Sequence, residues 1–234
     1  MLQRSLRAMV LLMLASGLQP VCRAEHLWIV PEPVGFDGRV HVYPCQGRHP
    51  DQIPHVFRIQ LWRISDVKTC KSVELASEKE SLISIDVAND PGAIYVLSHD
   101  CGVNSAGGEP NRTLLHAKSY TSADPSTWRP LRVKRLPLEI VPTRDRERFT
   151  FAVTFNGNPV ANPMISVCGP DGFKCDVKGD AEGRVTCGLP QSGMYGLCTT
   201  LVDSQPGTIE GRRFSGTRHY STLTVPVEVI PARK

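Results

Sequence analysis

The chain has 234 residues, with 27 Lys and Arg against 23 Asp and Glu and a formal charge of +4. Three of those arginines stand in the first 24 residues, and without that segment the balance is 24 basic against 23 acidic. Near neutrality gives no electrostatic case for nucleic acid. No apolar run beyond that segment reaches the ~20 residues of a spanning helix, which argues against membrane insertion of the mature chain.

Residues 1–24 read as a secretory signal peptide. Arg4 and Arg7 form a basic start, Ala8 to Leu18 an apolar run, and Cys22-Arg23-Ala24 ends on a small residue. The mature chain is expected to begin at Glu25, in the periplasm or secreted. The segments that follow read as short strands: His26–Val30, Arg39–Tyr43, Val56–Ile64, Ser72–Ala76, Leu82–Val87 and Ala93–His99. Leu114–Tyr120 fits a strand or a helical turn. Ser122–Pro130 reads as loop, and the basic run Arg129–Arg135 as a solvated linker face. Leu136–Pro142, held extended by its prolines, opens a crossing over residues 136–148.

From Phe149 onward, β-branched and aromatic runs alternate with turn residues. Asn156-Gly157 and Asp171-Gly172 supply the positive φ angles of tight turns, and Gly179 to Gly183 joins two further strands. With no amphipathic helix of ordinary length, the chain is expected to be all-β. Two consecutive antiparallel β-sandwich (Ig-like) domains are predicted, over residues 25–135 and 149–234, after a cleaved signal peptide.

Eight cysteines are present. Cys22 leaves with the signal, and no CxxC spacing occurs among the rest, so in an oxidising compartment disulfides come before metal ligation. A turn centred on Ala181 sets Cys175 opposite Cys187. Alternation puts Cys168 and Cys198 on the face away from Ile165, Val167, Tyr195 and Leu197. The expected bridges are Cys168–Cys198 and Cys175–Cys187, with Cys45, Cys70 and Cys101 unassigned.

Candidate chemistry is sparse. The amine of Glu25 and the imidazole of His26 form a chelate for nickel or copper at the expected mature terminus, and His219 is the natural third ligand if the last strand lies beside the first. The other reading of His26 and His219 is half-buried histidines bonded to backbone. His41, Cys45, His49 and His55 match no zinc spacing. His99, Asp100 and Cys101 lack an orienting partner for a nucleophile. Asp171, Asp176 and Asp180 are explained by turn chemistry rather than by a calcium loop. No HExxH, GxSxG or phosphate-binding glycine loop is present, so the chain is read as non-enzymatic.

Several stretches together resemble a known family: AEHLWIVPE at 24–32, LPLEIVP at 136–142, NGNPVANPMISVCGPDG at 156–172, GDAEGRVTCGLPQSGMYGL at 179–197 and TRHYSTLTV at 217–225. They are similar to the extracytoplasmic family described as a periplasmic component of cobalt/nickel transport. The fourth stretch also resembles carboxypeptidase regulatory-like and transthyretin-like modules. The resemblance implies a first β domain, a proline-rich crossing and an Ig-like second domain. It implies a transition metal (nickel, cobalt or copper) and a membrane transporter or envelope protein as partners. Family members carry a His near the mature N-terminus, the place of His26. The alternative is a structural or adhesion module of the cell envelope that binds no metal.

Overall fold

The computed structural model describes residues 27–31, 39–44, 60–64, 70–73, 83–86, 92–104, 109–143 and 149–228. Among the described residues there are seventeen strands, and the only helical pieces are the short 3-10 turns Pro125–Thr127 and Pro170–Gly172. The strands of the first half are β1 (Leu27–Pro31), β2 (Arg39–Pro44), β3 (Gln60–Ile64), β4 (Cys70–Val73), β5 (Ile83–Asp86), β6 (Ile94–Asn104) and β7 (Asn111–Tyr120). Those of the second are β8 (Leu138–Thr143), β9 (Phe149–Phe155), β10 (Asn158–Pro159), β11 (Met164–Cys168), β12 (Lys174–Lys178), β13 (Arg184–Cys187), β14 (Gly193–Asp203), β15 (Gly207–Ile209), β16 (Arg212–Phe214) and β17 (Gly216–Val227). Leu114–Tyr120, open between two readings in the sequence, belongs to strand β7.

An eight-stranded sheet dominates, in the order β12-β11-β14-β17-β7-β6-β3-β4. It takes strands from both halves of the chain. The junction is β17 with β7, paired in parallel from Gly216↔Asn111 to Thr224↔Ser119, while every other pairing in this sheet is antiparallel. The residues expected to cross between two domains instead supply β8, which pairs with β9. β9 also carries β13 and the two-residue β10, completing a four-stranded sheet.

The core lies between these two sheets. Ile94, Val96 and Tyr120 from the first half pack with Leu138, Ile140, Phe151, Val153, Ile165, Val185, Leu197, Leu223 and Val225. Alternation explains which side chains enter. Along β17, Ser221, Leu223 and Val225 share the core side with His219, while Thr222, on the other side, donates its hydroxyl to the Leu27 carbonyl. A third sheet, β1-β2-β5, therefore covers the opposite face of the large sheet. Trp28 lies there against Gly196, where any added Cβ would stand 2.8 Å from its ring.

The turn signals are realised. Asn156 and Gly157 take φ of 51° and 82°, Asp171 and Gly172 take 52° and 77°, and Glu210 and Gly211 take 49° and 77°. Trp128, in the segment expected to be loop, is 7% exposed and packs between Tyr120 and Phe149 with its indole N–H on the Ser122 carbonyl.

Candidate functional site

The core-facing side of β7 carries polar residues at every second position. Arg112, His116, Lys118 and Tyr120 follow one another from the rim of the sheet into its centre, interrupted only by Leu114. Adjacent strands, the facing sheet and the loop 129–135 supply a partner for each.

At the rim, β6 has a bulge between Asp100 and Gly102. Gly102, at φ 75°, turns its N–H onto Asp100 Oδ1 at 2.9 Å, and Arg112 donates twice to Asp100 Oδ2, at 2.6 and 3.1 Å. Burial raises the Asp100 carboxyl, but the Arg112 bond, the Gly102 N–H and the Arg112 charge outweigh it, so its pKa lies below the usual value.

Further in stand two imidazoles. His116 Nε2 and His219 Nδ1 are 3.3 Å apart, with the rings stacked at 5.6 Å between centroids. Ser98 Oγ lies 3.0 Å from His116 Nδ1, and Phe155 of the facing sheet meets the His219 ring edge-on at 5.0 Å. The two histidines are only 1% and 4% exposed. Burial, followed by the neighbouring His219, pushes His116 down to about 3. Burial also lowers His219, with Asp203 opposing and Arg112 adding to the effect. The pair is therefore neutral at physiological pH. In the tautomer that donates Nδ1–H to Ser98, His116 Nε2 keeps a lone pair directed at His219.

Deepest is an ion pair. Lys118 Nζ donates to Glu139 Oε1 at 2.7 Å and to the Leu131 carbonyl, and both side chains are almost fully buried. The Val133 N–H donates to both carboxylate oxygens, at 3.0 and 3.1 Å. Tyr120 completes the row by donating to the Arg129 carbonyl at 2.6 Å. The basic run 129–135 thus turns backbone groups at 129, 131 and 133 inward while its arginine heads stay exposed. Burial lowers Lys118 and raises Glu139, and each partner resists the other's shift.

The sequence singled out His219 but not His116, Lys118 or Glu139. His116 and Lys118 alternate with apolar residues in the strand LLHAKSY, and Glu139 is the one charged residue of LPLEIVP. One charge of each sign, Lys118 and Glu139, in extended runs with apolar neighbours is the signal that was available.

Glu25 and His26 lie outside the described residues. β1, which begins one residue later, is not a neighbour of β17 in the sheet. It crosses the face opposite to the one on which His219 meets His116 and Phe155. The sheet itself stands between the start of β1 and the His219 ring. Of the second histidine cluster only the backbone of His41 is described. His99 is buried, and Cys101 is exposed at the bulge. Asp171 and Asp180 serve turns and Asp176 accepts from the Ser166 hydroxyl.

The cysteines whose side chains are described, Cys101, Cys168, Cys175, Cys187 and Cys198, are all thiols in this structure, so neither expected bridge is present. For Cys168 and Cys198 the register gives the reason. Cys168 stands opposite Gly196 and Cys198 opposite Ser166, so the two share a face, as alternation required, but only as diagonal neighbours. Diagonal positions lie about 7–8 Å apart, at or beyond the reach of a disulfide. Cys175 and Cys187 are differently placed. Both face the core, but their strands belong to different sheets rather than to one paired hairpin.

Among the described residues no group of three or more His, Cys, Asp and Glu is assembled to hold a metal ion, and no helix is long and apolar enough to cross a membrane. The arrangement defines an all-β sandwich protein with a buried polar row on one inner face. No family model matches the chain, and no curated protein does. Among solved structures, a pullulanase from Anoxybacillus sp. LM18-11 aligns at 14% identity over 90% of this chain and 29% of its own, with a TM-score of 0.19. The same enzyme complexed with maltotriose gives 13%, 91% and 29%, also at 0.19. The chain spans under a third of that enzyme's length, and likeness at this level carries no argument.

Proposed function

We propose that the chain is an exported, non-enzymatic binding protein that takes a transition metal, nickel, cobalt or copper, through His219 and His116. The supporting observation is the 3.3 Å separation of His116 Nε2 and His219 Nδ1. Two imidazole nitrogens at 2.0–2.1 Å from one tetrahedral ion lie about 3.3–3.4 Å apart. Ser98 on the far nitrogen of His116 has the role of a group that orients a ligating ring. The reading keeps His219 from the sequence and replaces the Glu25 amine and His26, since β1 lies across the other face of the sheet. A transporter or envelope protein as recipient of the metal rests on the family resemblance alone. An interaction module of the envelope without metal is the second reading. The mutual hydrogen bond of the two rings favours it, because it satisfies both without an ion.

Calorimetric titration of tag-free protein with nickel, cobalt and copper tests the first reading. Binding is expected to fall at least tenfold in His116→Gln and in His219→Gln and to survive in His26→Ala. No binding by the native protein, or binding indifferent to both inner histidines while circular dichroism shows the variants folded, leaves the interaction module.

A further inference from the structure

The hairpin from Lys174 to Cys187 has an unusual course. Asp180 closes its turn, donating its N–H to the Arg184 carbonyl at 2.9 Å and accepting the Arg184 N–H on Oδ1 at 2.7 Å. Beyond that mouth the arms separate. β12 pairs with β11 as the outermost strand of the large sheet, and β13 pairs with β9 in the opposing one. Val177 and Cys175 on one arm, and Val185 and Cys187 on the other, all point into the gap between the sheets. Cys175 stands opposite Val167, a core residue, and Cys187 opposite Phe149. Each cysteine is six residues from Ala181, and both side chains pack at the same hydrophobic core.

We infer that Cys175 and Cys187 are a redox-active pair that joins the two sheets by a disulfide when the chain meets a disulfide oxidant. The bridge would be a tie between layers of the sandwich, not a rung of one hairpin. The chemistry balances with a low-molecular-weight disulfide such as oxidised glutathione. The half-exposed Cys175 loses its proton and attacks a glutathione sulfur, breaking that S–S bond and releasing one thiolate. Cys187, deprotonated in turn, attacks the Cys175 sulfur and releases the second. Two protein thiols are oxidised and one glutathione disulfide becomes two thiols. Burial, and then the neighbouring Cys175, pushes Cys187 up to about 12, while burial and Asp176 raise Cys175. Closure is therefore slow at neutral pH and accelerates toward alkaline pH. Cys168, exposed beside Gly196 on the outer face, is separated from this pair by its own sheet.

The full chain, purified reduced, is to be incubated with oxidised glutathione at pH 8.5 and then alkylated. Trypsin followed by chymotrypsin separates Cys187 from Cys198 at Tyr195. The expected product is the peptide Cys175–Lys178 bridged to the one holding Cys187, with a loss of two mass units. The closed ring spans thirteen residues, from Cys175 to Cys187. A ring of that size should raise Tm by about 5–10 °C in the wild type. Cys175→Ser should show no such rise, while Cys168→Ser should keep it. Alkylation of both thiols after exhaustive oxidation, or linkage of Cys175 to any other cysteine, overturns the inference. Because oxidation is done on purified protein, neither result depends on export or on metal binding.

Discussion

At the residue scale the inner face of β7 sets how the protein responds to pH. His116 has a folded-state value of about 3 against 6.5 for an ordinary histidine, with burial the main cause. A depressed histidine favours the neutral native state. Its contribution is complete above pH 6.5 and is lost as the pH falls toward 3. Between pH 7 and 5 His116 alone should withdraw about 2 kcal/mol of stability, and His219 acts in the same direction. Urea midpoints at pH 7, 6 and 5 check this, and His116→Phe is expected to flatten the slope. The Lys118–Glu139 pair is best probed by mutation. Removing one partner, as in Lys118→Met, leaves an unpaired buried charge and should cost about 3–5 kcal/mol. The double variant Lys118→Met with Glu139→Leu should recover most of that loss in denaturant unfolding. If it does not, the Leu131 and Val133 backbone bonds matter more than the ion pair itself.

At the element scale two glycines are required for different reasons. Gly183 ends the turn into β13 with φ at 77°, and a Cβ there would lie 2.9 Å from the carbonyls of Val153 and Val160. Its own carbonyl accepts the Val153 N–H at 2.8 Å. Gly183→Ala therefore combines a left-handed backbone with a clash against immovable backbone atoms. It should cost at least about 1–2 kcal/mol. Gly196 has ordinary backbone angles and is small because the Trp28 ring lies on it. Gly196→Ala should loosen β1 from the large sheet, seen as increased Trp28 fluorescence quenching by iodide. Unchanged quenching would mean that Trp28 is held by other contacts. The exposed edge of β12 carries Lys174 and Lys178, which discourage strand addition.

At the scale of the whole molecule the parallel ladder between β7 and β17 decides cooperativity. It joins residues about a hundred positions apart and passes the core of the second half on to Ile94, Val96 and Tyr120 of the first. Two sandwiches in series would melt separately. A shared sheet and a shared core predict a single calorimetric transition whose van't Hoff and calorimetric enthalpies agree. Two resolved endotherms would show that the halves hold together more weakly than the ladder implies.

What the sequence determined by itself is what local chemistry controls. Alternation placed Ile165, Val167, Tyr195 and Leu197 on the inner face. Asparagine, aspartate and glycine pairs marked the tight turns, because only those residues take positive φ cheaply. The all-β class followed from both. Only the tertiary structure decided which strands became neighbours. His116 and His219 are separated by 103 positions, and nothing local in either strand records the other. The tight turn around Ala181 forms as its residues dictate, yet its arms pair in different sheets and not with each other, because burying Val177 and Val185 in one core outweighs pairing the arms. Lys118 and Glu139 followed the same logic. Each is tolerable in an apolar strand only because a distant strand and the loop 129–135 bring the opposite charge and the backbone groups that satisfy it.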